Sequence, residues 1–358
     1  MLVLAAAIVL SFLSLPWMEP ALFLLGCGAA VALILHPRKP RLSFPMAPLA
    51  CAAGWGMVQL AAHWTGAPAD TRFAVLAWFA NLVAFCLALE LGRPLVDALL
   101  YIAFALSLIA VVQYFSGVDK IFWLYPTDAP AWGPFVNRDQ YAAFIEMVLP
   151  VALVRAAGGD SRAIRFAAIS AAMYASVIAG ASRAGAILTT AEMAFVQVRS
   201  RQFRPRVWLF AALFVAVGGW AVLAHRFSDP DPFGGRREIL KSTVAMIRTR
   251  PWTGFGLGTF HGVYPAYAGR DFGAAVNHAH NDWAEWAADG GIPFCLMLAA
   301  VALWSVPKAL RSGWGIGIVA VFVHATVDFP LQKPALELWL FTLLGVLARE
   351  TISSPGSP

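Results

Sequence analysis

Apolar runs close to the ~20 residues that carry a helix across a bilayer recur along almost the whole chain, separated by short gaps marked by polar residues, proline or glycine. The pattern predicts an all-α integral membrane protein, a polytopic bundle of about 12 transmembrane helices. The expected spans lie near residues 1–15, 20–35, 47–63, 73–90, 96–115, 139–157, 163–180, 184–198, 207–224, 291–307, 313–328 and 335–349. The first and the eighth are shorter than ideal. The opening run has no basic leader and no small-residue cleavage site, so it reads as an uncleaved span.

Between the ninth and tenth spans the pattern changes. Residues 225–290 form one large polar loop with elements of its own. "GGRREILKSTVAMIRTRP" sets Ile239, Leu240, Val244 and Ile247 at near-helical spacing, which predicts an amphipathic helix at the membrane surface, begun by Arg236 and Arg237. "WTGFGLGTF" places Gly254, Gly256 and Gly258 in a GxGxG arrangement. Nucleotide binding needs a preceding strand and a βαβ unit; a turn that lets the backbone pass close to another segment needs neither. In "HAHNDWAEWAADGGIP", Asn281 and Asp282 suit a helix N-cap and Gly290 with Gly291 a helix end, just before the next apolar run.

The composition, 60% hydrophobic and 13% charged with a mean hydropathy of +0.69, excludes the ordinary soluble classes. Charge then sets the orientation. Lys and Arg of the short loops, including "HPRKPR" (36–41), Arg93, Arg155, Arg162, Arg165, "RSRQFRPR" (199–206), Lys308, Arg311 and Arg349, fall on one side if both termini are cytoplasmic. The 225–290 loop, although basic, then lies outside, since long loops cross with their charges. The net charge of +6 is mostly this bias toward anionic membrane lipids and gives no argument for nucleic acid. The four cysteines, Cys27, Cys51, Cys86 and Cys295, are scattered through the spans without ligand spacing and read as small buried hydrophobes.

Candidate chemistry gathers on the outer side. His280 sits at an expected helix N-terminus, where the dipole disfavours imidazolium and a neutral, proton-accepting ring is expected. It suits a general base, and equally a cap or an interfacial hydrogen bond. His278, His280 and Asp282 alternate, which leaves a metal reading open without giving convergent geometry. Arg183 in "AGASRAGAIL" lies at the outer end of a span among small residues, where an arginine implies a partner or a ligand. Asn137, Arg138 and Asp139 open another span, with capping as the plain account. His324 and Asp328 stand i, i+4 on one expected helix face. "SDPDP" (228–232) holds a D-x-D, which is also a simple turn. Trp283 and Trp286 offer faces for sugar rings or anchor the interface.

The succession "FVNRDQYAAF", "SRAG", "GGRREILKSTVAMIRTRPWTGFGLGTF", "HAHNDWAEWAADGGIP" and "VHATVDFPLQKPALELWLFTLLGV" resembles the O-antigen ligase and polymerase superfamily of bacterial envelope glycan enzymes, over about residues 130–350. The resemblance divides the chain into N-terminal transmembrane helices (1–130), a ligase-like catalytic region (131–350) that includes the loop, and a short tail (351–358). It implies a helical membrane fold with a periplasmic loop over a cavity, in the bacterial inner membrane. It also implies transfer of a glycan from an undecaprenyl pyrophosphate donor to an acceptor hydroxyl, on lipid A core or another glycan. By motif, Arg183 corresponds to the family's Ser-Arg-Gly arginine, here Ser-Arg-Ala-Gly. Arg236 corresponds to the loop arginine, with Arg237 adjacent as a rival because "RREIL" has Leu240 where the family has tryptophan. His280 corresponds to the histidine before Asn281, with His278 as an extra. Arg237, Asn137, Arg138, His278, Asn281, Trp283 and His324 are expected around the substrates.

The chemistry agrees with that resemblance. A lipid pyrophosphate leaving group carries several negative charges, and the guanidinium groups of Arg183 and Arg236 can neutralise them through bidentate contacts. No metal and no cofactor are then required, and proton removal by His280 predicts inversion at the anomeric carbon. Ligase and polymerase need the same residues and both remain open. A polytopic transporter is the rival class, although transporters place polar groups at mid-bilayer on broken helices. The orientation is testable. A cysteine introduced near Gly269 should be modified by an impermeant reagent from outside, and one near Gln202 should be spared; the reverse pattern would overturn the topology.

Overall fold

The structure, a computed structural model, describes residues 41–127, 130–158, 161–200 and 235–353 with a few isolated positions between them. The spans expected at 1–15, 20–35 and 207–224, the D-x-D at 228–232 and Cys27 lie outside the described residues. What is described is mostly helix, with one two-stranded hairpin.

Three helices open the described chain: α1 (Met46–Ala61), α2 (Pro68–Leu91) and α3 (Arg93–Phe115). A hairpin follows, β1 (Lys120–Ile121) paired antiparallel with β2 (Tyr125–Pro126). Then come α4 (Arg138–Glu146), α5 (Leu149–Ala156), α6 (Ala163–Ala179) and α7 (Arg183–Ser200). After the undescribed stretch the outer loop supplies α8 (Arg236–Thr249) and the single turn α9 (Phe260–Val263), and the chain closes with α10 (Asp282–Ser312), α11 (Ile316–His324) and α12 (Pro334–Ser353). Among the described residues α2, α3 and α10 are long and apolar enough to cross a membrane, and α1 and α6 are shorter apolar helices.

The core is built on α12, whose residues from Leu336 to Ala348 are almost all buried. A helix apolar on every side is stable only when surrounded. Its largest neighbour is α2. Gly345 permits this contact, since a Cβ there would stand 2.4 Å from the Phe85 carbonyl oxygen.

Two expected spans are interrupted. The 139–157 segment is two helices, α4 and α5, broken at Met147 and Val148. Pro150 explains the break, because a proline inside a continuous helix loses its N–H bond and strikes the carbonyl four residues back, here that of Glu146. The break admits α11: a Cβ at Gly317 would lie 2.2 Å from the Glu146 carbonyl oxygen. The second is the 313–328 segment, helical only over the nine residues of α11. The chain leaves the helix at Ala325 and passes through Asp328 to a short 3-10 turn at Pro330–Gln332.

The outer loop folds onto the bundle through its own small core. Ile239 and Met246 of α8 join Phe255, Phe260, Tyr264, Ala279 and Ala288. The buried face of α8 is Ile239, Ser242, Thr243 and Met246, whereas Leu240 is 37% exposed. The helix predicted to rest on lipid therefore packs on protein through a face shifted from the one read in the sequence.

The GxGxG segment is the close-approach turn. Gly254, Gly256 and Gly258 all have positive φ, at 64°, 114° and 76°, a region that costs other residues ~1–2 kcal/mol. A Cβ on Gly254 would sit 2.1 Å from the Asp289 carbonyl oxygen. There α10 is kinked at Gly291 (φ 81°), and the glycine segment occupies its opened backbone groups: Phe255 N donates to Ala288 O, Gly256 N to Asp289 O and Ile292 N to Pro251 O. Gln59 of α1, fully buried, locks the junction. Its Nε2 donates to Thr253 O (2.7 Å) and Asp289 O (2.9 Å), and its Oε1 accepts from Leu257 N (3.0 Å).

Gly254→Ala should therefore cost about 3 kcal/mol or more, combining left-handed strain with backbone collision. Gly273→Ala, with φ 67° but nothing within 4 Å of the added Cβ, should cost only ~1 kcal/mol. Thermal unfolding of the two purified variants should show the larger fall for Gly254→Ala; equal falls would remove the close-approach account.

Candidate active site

Helix starts on α4, α7 and α8 bring the outer polar residues together. At α4, Asn137 caps the helix by accepting from Asp139 N at 2.7 Å, which leaves the Asp139 side chain to others. Ser182 precedes α7, accepts from Gly185 N at 3.1 Å and donates to Asp139 Oδ1 at 2.6 Å. Gly185 sets the spacing, since a Cβ there would lie 2.4 Å from that of Ala142. The glycine of "SRAG" thus lets α7 lie against α4, and Arg183 and Asp139 reach the same opening.

Arg236 enters from the outer loop at the first residue of α8. Its Nη2 lies 3.1 Å from Asp328 Oδ2 and 3.5 Å from Asp139 Oδ2, and its Nη1 donates to Val327 O at 2.9 Å. Around this clamp is a recess of about 370 Å³, counting its open mouth. Its walls are Arg138, Arg183 and Arg236, the acids Asp139 and Asp328, and two alanines. Three guanidinium groups against two carboxylates make a cation-rich pocket suited to phosphate oxygens.

His280 stands behind Asp328. Its Nδ1 is 3.2 Å from Asp328 Oδ1, and a carboxylate accepts only, so Nδ1 carries a proton and Nε2 is the nitrogen turned to other partners. Asp328 lies in the loop after α11. Burial alone would raise its carboxyl, but hydrogen bonds from His280 and Asp139 and the charge of Arg236 outweigh burial and hold it well below the usual carboxylate range.

The backbone around His280 is fixed from several sides. His280 has φ 51°, an uncommon conformation for a non-glycine residue. Glu285, 2% exposed, accepts from Ala279 N at 2.6 Å and meets His278 Nδ1 at 2.9 Å. Asn281 caps α10 by accepting from Ala284 N and donates to Thr326 O at 2.8 Å. Asp282 is fully buried, accepting from Leu331 N (2.9 Å) and Gln332 Nε2 (3.1 Å). The start of α10 is thereby stitched to the loop that carries Asp328. Phe329 packs edge-on to His280 and stacked on His278, at 4.8 and 4.3 Å between ring centres.

Of the residues expected around the substrates, Arg138, Arg183 and Arg236 line one recess with His280 beside it. Arg237 is exposed and is not among the recess walls. Asn137, Asn281 and His278 hold the backbone in place. Trp283 donates from Nε1 to Phe322 O at 3.1 Å and packs edge-on against the buried Trp286, so both rings brace the bundle. α11 ends at His324, but the turn that follows still bonds Asp328 N to His324 O at 3.1 Å and keeps the two side chains close, with ligand-type atoms within 4.8 Å, as their i, i+4 spacing predicted. His324 is completely buried, with Nδ1 2.9 Å from Glu146 Oε1.

Asp139 and Asp328 were legible only as a cap and a helix-face neighbour. Their service to Arg236 has no local signal, since the partners lie 97 and 92 positions apart. Asp139, His324 and Asp328 place ligand-type atoms within 4.8 Å of one another. Arg236 already stands against both carboxylates and Glu146 holds His324 Nδ1, so the trio reads as a charge network rather than a coordination shell.

Residues 166–299 match the family model described as O-antigen ligase. No curated protein matches the chain. The matched stretch takes in Arg183, Arg236 and His280, the three residues that the quoted motifs singled out, and the family covers both ligases and polymerases. Over residues 166–299 the chain is similar to the O-antigen ligase family, which supports a place in the O-antigen ligase and polymerase superfamily.

Proposed function

We propose that the protein is a membrane glycosyltransferase that moves a glycan from undecaprenyl pyrophosphate to an acceptor hydroxyl, at the periplasmic face of the bacterial inner membrane. The observation that carries this reading is the convergence of Arg138, Arg183 and Arg236 on one recess, with the His280–Asp328 pair at its edge. The arginines take the pyrophosphate oxygens. His280 Nε2 accepts the hydroxyl proton as the acceptor oxygen attacks the sugar C1, and the C1–O bond to pyrophosphate breaks with its electron pair leaving on the phosphate. Attack from the face opposite the leaving group inverts the anomeric carbon. Asp328 steadies the imidazolium that forms and keeps the ring in the required tautomer. The guanidinium groups stabilise the charge growing on the bridging oxygen, in a site organised before substrate arrives.

Of the two classes in the family we favour the ligase. The exposed side of α8 carries Arg237, Arg248 and Lys241, the last paired with Glu238 at 2.8 Å; this basic face suits an anionic lipid acceptor such as lipid A core. Arg250 is committed elsewhere, donating to Trp64 O at 2.9 Å and lying over the Phe255 ring. The polymerase reading, with a second lipid pyrophosphate as acceptor, uses the same recess.

In purified enzyme with a lipid-linked donor, His280→Ala should lower transfer by roughly 10²- to 10⁴-fold, and Arg183→Ala and Arg236→Ala should each abolish it while the protein stays folded. Arg183→Lys should also fail, because an ammonium cannot reproduce the guanidinium fork. Transfer should persist in chelator. Full activity of His280→Ala would end the general-base role.

Deletion of the gene decides between the two classes. A ligase predicts loss of all attached glycan with long chains accumulating on the carrier. A single repeat still attached to its usual acceptor would instead identify a polymerase.

A further inference from the structure

Directly beneath the recess lie two ionisable residues that this chemistry does not use. Glu146, at the end of α4, and His324, at the end of α11, are both fully buried. His324 Nδ1 lies 2.9 and 3.1 Å from the two Glu146 oxygens. Its Nε2 is buried as well and has no hydrogen-bond partner among the described residues. An imidazole nitrogen of His324 and one carboxylate oxygen each from Asp139 and Asp328 lie within 4.8 Å of one another. With Nδ1 committed to Glu146, Nε2 is the nitrogen left to face other polar groups, and the ring stands next to the Asp139–Asp328 pair.

The local fold puts the pair there deliberately in the physical sense. The break before Pro150 ends α4 at Glu146, and Gly317 lets α11 close against that break. A buried carboxylate and a buried imidazole so placed each need the other.

We propose that Glu146 and His324 form a positioning unit for the candidate base: Glu146 fixes the His324 ring through Nδ1, the ring's other nitrogen steadies the Asp139–Asp328 pair, and Asp328 in turn orients His280. His324 is sealed from the recess and touches no substrate. The inference rests on the reading of His280 as proton acceptor, but it also makes a claim about His280 that needs no substrate.

The charged groups facing this unit are Asp139 from α4, Asp328 from the loop after α11, Arg236 from α8 and Glu192 from α7, which is buried near Glu146. Removing His324 takes away a ring whose electrostatic influence lowers the Asp139 carboxyl, so the two aspartates hold a shared proton more readily. Asp328 then presents less negative charge to His280, and the imidazolium of His280 is less favoured. The sign follows: His280 should titrate at lower pH.

The test is histidine-selective nitrogen NMR of the full chain in lipid nanodiscs, with the His280 signal assigned from its loss in His280→Gln. In His324→Gln the His280 midpoint should fall by about half a pH unit or more, and Glu146→Gln should move it in the same direction. The double variant should shift it no further than His324→Gln alone. Should His324→Gln fail to fold, Glu146→Gln carries the same expectation, since it keeps the volume but removes the charge that holds the His324 ring. An unchanged His280 midpoint in folded variants, even with a lowered melting temperature, would show a merely structural pair and overturn the proposal. Glycan transfer by His280→Ala, measured separately, tests the catalytic reading alone.

Discussion

A carboxylate that is about 1% exposed inside an apolar bundle stays ionised only if its charge is met by partners, and Asp328 gathers them from across the chain. Arg236 comes from the outer loop, His280 from the turn before α10, and Phe329 N from its own loop, at 3.1, 3.2 and 2.9 Å. Removing one partner of a buried ion pair typically costs ~3–5 kcal/mol, because the remaining charge is left uncompensated. The loop that carries α8 is therefore held to the bundle by electrostatics at the same point where the candidate chemistry is assembled. Stability and site geometry depend on one carboxylate.

That constraint explains how a recess rich in arginine forms before any anion arrives. Guanidinium groups brought together in a low dielectric repel one another, and Asp139 and Asp328 offset this by sharing Arg236. The balance still leaves more arginines than acids on the walls. On the proposed reading, a multiply charged phosphate group would meet a fixed cationic surface whose reorganisation has already occurred in folding. His280 gains from the same acid, since the carboxylate that anchors Arg236 also sets its tautomer.

The second support is steric. The glycine segment 254–258 occupies the backbone groups opened by the kink at Gly291, and Gln59 ties both to α1. This fixes the direction in which α10 leaves the bundle. The N-terminal half of α10, with Asn281 and Asp282 bonded to the loop after α11, then sets His280 against Asp328. A glycine pattern that could be read as a phosphate cradle is spent on helix contact.

What the sequence determined by itself was whatever depends on neighbours along the chain. Apolar run length specified α1, α2, α3, α6, α7 and α12; capping chemistry placed the start of α10 at Asn281; glycine spacing announced a close approach at 254–258. Side-chain charge beside helix ends singled out Arg183 and His280, and the motif resemblance added Arg236 with Arg237 as its rival. Packing decided the rest. The Pro150 break was visible as a residue, but only the approach of α11 through Gly317 gave it a consequence. Choosing Arg236 over Arg237 required knowing which side of α8 turns toward the bundle. The nearness of Asp328 to His324 was legible from their spacing, but the hydrogen-bond partner of His324, Glu146, lies 178 positions away. Helix periods and caps are settled by interactions within a few residues, whereas a buried charge selects its partner by position in space, which exists only once the helices have packed.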